Sequence, residues 1–126
     1  MIRHILVAVV LLAIPASSFA HGQPPAAQHG GQVVESSAEQ WLELAIKADQ
    51  LMVYVSNDAN KPMDSASFSG KATVLAGGKS EVVALVPSGA NSLTGRLAAP
   101  LAVKATVVVA LVIGGKSSQA RFAGAQ

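Results

Sequence analysis

Few side chains in this sequence can do chemistry, and their types limit what that chemistry is. The 126 residues include three histidines, seven carboxylates and no cysteine. The carboxylates Glu35, Glu39, Glu43, Asp49, Asp58, Asp64 and Glu81 are spread over turns and polar strand faces. No serine-centred nucleophile elbow, phosphate loop or paired-carboxylate motif is present, so the reading is not an enzyme. Without cysteine there is no thiolate redox chemistry, no cysteine-ligated zinc and no blue-copper centre. Any metal must be held by histidine, methionine, carboxylate or backbone atoms. The sharpest candidates are His21 and His29, eight residues apart. If export trims the chain after Ala20, His21 offers a free α-amino group beside its imidazole, a chelating pair suited to Cu(II). Closing the loop from His21 to His29 costs roughly 1.8 kcal/mol plus a constant, which a metal–imidazole bond can offset. Glu43, Met52, Met63 and Asp58 complete the candidate set, the thioethers favouring Cu(I). The cofactor expected is therefore a copper or zinc ion. The plainer alternative makes the two histidines solvated linker residues and Met52 a packing partner of Tyr54.

These side chains are positioned by three segments. Arg3 and His4 precede the apolar run Ile5 to Ile14, Pro15 follows, and Ser18 and Ala20 supply the small residues of a peptidase site. This reads as a secretory signal peptide over residues 1–20, placing the product in the periplasm. A membrane anchor would need roughly 20 apolar residues, about twice this run, so no integral membrane segment is expected after cleavage. Residues 21–31, HGQPPAAQHGG, hold no large apolar side chain and read as a flexible N-terminal arm.

Residues 32–126 change character: short runs rich in Val, Leu and Thr are separated by Gly, Asn, Asp, Ser and Pro. In the segment from Gln40 to Ala48, Leu42, Leu44 and Ile46 alternate with Trp41, Glu43, Ala45 and Lys47. That period of two favours a strand over the helix its composition also permits. A turn at Asp49-Gln50 leads to a second strand with Leu51, Val53 and Val55 on one face, making a hairpin. Further strands are expected over about 32–36, 67–75, 81–86, 93–97, 103–113 and 119–122, with glycine turns at Gly77-Gly78 and Gly114-Gly115 and an end at Pro87. The run from Val103 to Ile113 is apolar on both faces near Val108 to Val112, as in a central strand or one covered in an oligomer. Seven or eight antiparallel strands in this length fit an all-β, immunoglobulin-like β-sandwich without the usual disulfide. Trp41 reads as a packing residue. Net charge is +2 with 13% charged residues and no Lys/Arg cluster, which argues against nucleic acid as a partner.

The order of short motifs is itself familiar. His29-Gly30-Gly31 is followed by Trp41-Leu42-Glu43-Leu44, by Leu51-Met52-Val53-Tyr54-Val55 with Asp58 and Lys61-Pro62, by Leu85-Val86-Pro87 and by a final hairpin from Lys116 to Phe122. From about Gln28 to Phe122 this resembles small periplasmic proteins and N-terminal modules attached to periplasmic adaptor subunits of resistance-nodulation-division heavy-metal efflux pumps. In those sequences a second histidine commonly stands just before the Leu-Glu pair; here Trp41 occupies that place. The resemblance implies a metal-binding or metal-efflux accessory role, His29 and Glu43 as site residues by position, and periplasmic components of an efflux system as partners. The rival from another class is a structural or protein-interaction β-sandwich module with no metal.

Overall fold

The computed structural model describes residues 23–126. His21 and the expected signal peptide lie outside the described residues. Eight strands follow one another with no helix between them: β1 (Gln32–Glu35), β2 (Trp41–Lys47), β3 (Gln50–Ser56), β4 (Ser69–Ala76), β5 (Lys79–Ser88), β6 (Ser92–Arg96), β7 (Ala105–Ile113) and β8 (Lys116–Ala125). Every pairing is antiparallel. Among the described residues no helix is long and apolar enough to cross a membrane.

The expectation of an all-β domain of seven or eight antiparallel strands holds, but the sheet is nearly closed and barrel-like rather than clearly a two-sheet immunoglobulin-like sandwich. Hydrogen bonding runs without a break in the order β1-β2-β3-β6-β5-β4-β7-β8, so one sheet curls on itself. The bend lies in β5, whose first part pairs with β4 from Lys79 to Leu85 while Val86, Pro87 and Ser88 pair with β6. Pro87 therefore lies inside the strand instead of ending it. Beyond Leu85 the strand has one registered partner, and a missing N–H is tolerated on a free side.

The curl brings β8 back to the start of the sheet. The Ser37 amide donates to the Gln119 carbonyl at 2.8 Å, and the Gln119 amide donates to the Ser37 hydroxyl at 2.9 Å. Beside them the buried Ser118 and Ser36 hydroxyls both donate to Oε1 of Gln40, at 2.8 and 2.6 Å. These bonds supply the partners that buried hydroxyls require, and they leave a barrel-like shape closed at this end.

Inside lies a core in which period-two alternation holds strand by strand. Leu42 and Leu44, then Leu51, Val53 and Val55, then Val107, Val109 and Leu111 face inward. Phe122 on β8 is the largest fully buried side chain. In β8 the phase slips once: Val107 registers with Phe122 but Ala105 with Ala125. This bulge lets both Phe122 and Ala125 point inward although they are three residues apart. β7 is flanked by β4 and β8, next to last in the order, and only one of its apolar faces is buried: Val107, Val109 and Leu111 face inward while Val108 and Ala110 are half-buried and Val112 is exposed.

Candidate functional site

The outer face of β2 should be the wet one, carrying Trp41, Glu43, Ala45 and Lys47 opposite the core-facing leucines. Trp41 and Glu43 are nonetheless buried, each 7% exposed. The cause is the segment before β1. Pro25, Ala26, Gln28 and His29 line a small recess together with Trp41, Glu43 and Tyr54, so the arm lies over this part of the sheet. The sequence reads residues 21–31 as a flexible arm; in the structure its last residues are fastened to β2.

The fastening is a single carboxylate. Oε1 of Glu43 accepts hydrogen bonds from the Gln28 amide and from the Nδ1 of His29, both at 3.0 Å. Oε2 accepts from the His29 amide at 2.8 Å and the Gly31 amide at 3.0 Å. An ionised carboxylate offers about four lone-pair positions, and all four are used. Each residue of the His-Gly-Gly element has a separate physical reason to be there. His29 supplies a ring donor and a backbone donor. Gly30 turns the chain with φ of 71°, in the left-handed region that glycine enters without penalty. Gly31 passes so close to β2 that a Cβ there would collide with the Leu44 carbonyl.

Tyr54 holds the other side of the ring. It registers directly opposite Glu43 on β3, and its ring stacks on the His29 imidazole with centroids 3.5 Å apart and planes 1° from parallel. The Tyr54 hydroxyl lies 3.9 Å from the sulfur of Met52, two residues away on the same face. The His29 side chain remains 38% exposed. A carboxylate can only accept, so the neutral ring must carry its proton on Nδ1, which leaves Nε2 with a lone pair and no proton.

Burial by itself raises the Glu43 carboxyl, but the hydrogen bonds from the His29 ring and from the Gln28, Gly31 and His29 amides outweigh it and hold the group below its ordinary value. The native state therefore releases this proton more readily than the unfolded chain does. Its contribution to stability is complete above the ordinary glutamate value of about 4.5 and is lost as pH falls through the lower native value. Below about pH 4.5 the Tm of the native chain is expected to fall more steeply than that of Glu43→Gln, measured by thermal unfolding across the acid range. Parallel curves would show that no such bonds form.

The expected site residues are thus partly gathered. His29 and Glu43 touch, and Met52 lines one open cleft with His29 and Tyr54, a space of about 620 Å³ bounded by Gly124, Ala125 and Gln126 at the end of β8. Met63 is elsewhere: it packs against the core and borders a recess with Pro62, Asp64 and Asn91. Asp58 sits in a loop organised by Asn57, whose Oδ1 accepts from the Ala59 and Lys61 amides. Among the described residues no three histidine, cysteine, aspartate or glutamate side chains converge as a metal-holding group. Sequence reasoning missed Tyr54, because a turn at Asp49-Gln50 would set Ser56 opposite Glu43, and Gly31, whose signal is its adjacency to Gly30 and His29. No family model, curated protein or solved structure matches the chain.

Proposed function

We propose that this chain is an exported, periplasmic transition-metal-binding protein acting as an accessory to metal efflux, with His29 as the residue that meets the ion. The observation carrying this reading is the His29 Nδ1 to Glu43 contact. Histidines that ligate metals almost always donate their other ring N–H to a carboxylate or carbonyl, which fixes the tautomer and raises the basicity of the ligating nitrogen. Here that outer partner is already bound and the ring is stacked in place, so little ordering remains to be done when an ion arrives. Glu43 then orients the ligand and does not itself coordinate, because its lone pairs are occupied.

Calorimetric titration with Cu(II), Zn(II) and Ag(I), binding of any one being sufficient, tests this. The protein must keep its natural N-terminus, since a tag would block the α-amino group that cleavage before His21 would free. Micromolar or tighter binding is expected, lost or severely weakened in His29→Ala. Heat no greater than dilution, or binding indifferent to His29→Ala, contradicts the reading. One observation favours the non-metal alternative: three of the four bonds to Glu43 come from backbone amides, which fasten the arm whether or not an ion binds. In that case the module serves a protein partner, and the same titration is silent.

A further inference from the structure

The donors around His29 also bear on which ion the site takes. Resting on the metal-binding reading above, we infer that the ion is monovalent copper, or its analogue Ag(I), held between Nε2 of His29 and the thioether of Met52.

Hard donors are scarce here. Both oxygens of Glu43 are committed to four protein donors, and among the described residues no second or third histidine or carboxylate converges on His29. Zn(II) wants four nitrogen, sulfur or oxygen ligands in a tetrahedron, and Cu(II) a tetragonal set of nitrogen and oxygen. Among the described residues this wall offers neither set in full. The other soft donor in the cleft is Met52, on the same outer face of β3 as the Tyr54 that carries the imidazole. Its sulfur lies 3.9 Å from the Tyr54 hydroxyl, so the thioether sits at the edge of the stacked pair. Three rotatable bonds let a methionine side chain swing toward a ligand without moving the backbone. Imidazole and thioether together suit Cu(I). Met63, on its separate recess, takes no part.

Silver nitrate in chloride-free buffer is the redox-inert probe, added to the full processed chain carrying ¹³C-labelled methionine methyl groups. Ag(I) is expected to shift the Met52 methyl and the His29 ring signals while the Met63 methyl stays in place. Met52→Leu conserves volume on a half-buried face, and should keep the native spectrum while weakening Ag(I) binding by at least the roughly tenfold that losing an outer-shell partner costs. A stationary Met52 methyl, or affinity unchanged in Met52→Leu, overturns the inference. If Zn(II) or Cu(II) still binds through His29 in that event, the metal-binding reading stands and only the choice of ion and second ligand has failed. If none of these ions binds, both fall together.

Discussion

Glu43→Ala is expected to cost about 3 kcal/mol in chemical denaturation and to lift residues 25–31 off the sheet. Four donors lose their acceptor at once, and a hydrogen bond to a charged group contributes about 1.5–3 kcal/mol. The full sum is not expected, because the released arm hydrates its own amides. Trp41 reports the event: as the chain's one tryptophan, buried under Pro25 and Ala26, it should shift its emission to the red when the arm leaves. Glu43→Gln keeps the shape but turns an N–H₂ group toward donors, so it should recover only part of the loss. A change within about 0.5 kcal/mol, the usual span for a surface substitution, would mean that the arm is not fastened in solution.

Phe122→Ala should be the more damaging change, at about 4 kcal/mol. The ring is fully buried, lies across from Val107, and fills the interior where β8 completes the curl. Removing it loses the transfer free energy of the ring and leaves a cavity between β7 and β8 that neighbours can only partly fill. For a domain near 100 residues the Tm should drop on the order of 20 °C. Phe122→Leu, which refills much of the space, should lose well under half of that. A loss below about 1 kcal/mol for the alanine variant would contradict a core that extends to the closing strand.

The local structure was legible because strand faces repeat every two residues. Leu42, Leu44 and Ile46, then Leu51, Val53 and Val55, announce β2 and β3 without help from the rest of the chain. Closure was not legible, since it depends on β5 changing partners between Leu85 and Val86, a choice made by β4 and β6 and not by any residue in β5 itself. The final strand read as ending at Phe122 because the bulge beyond it breaks the alternation. A smaller displacement had a larger consequence. The sequence suggests a turn at Asp49-Gln50, whereas Ala48 takes the left-handed conformation with φ of 53° and Gln50 already pairs with Lys47. Moving the turn back by one residue shifts the register by two. Faces are unchanged, but Glu43 meets Tyr54 in place of Ser56. The stacked imidazole depends on that pairing. The clasp itself was hidden for a different reason: a glutamate on the polar side of a strand reads as solvated until something covers it. What covers Glu43 is a segment whose prolines and glycines carry no periodic signal.

The central claim is that Glu43 and Tyr54 hold the His29 imidazole in one tautomer, with Nε2 unprotonated and turned over to ligands. Ring ¹⁵N NMR of selectively labelled histidine measures this directly on the metal-free protein. The account predicts that the neutral His29 ring has a protonated Nδ1 and a bare Nε2, and that the pattern collapses to an averaged mixture in Glu43→Ala. Finding the proton on Nε2, or the same averaged mixture in the native protein and the variant, would contradict it.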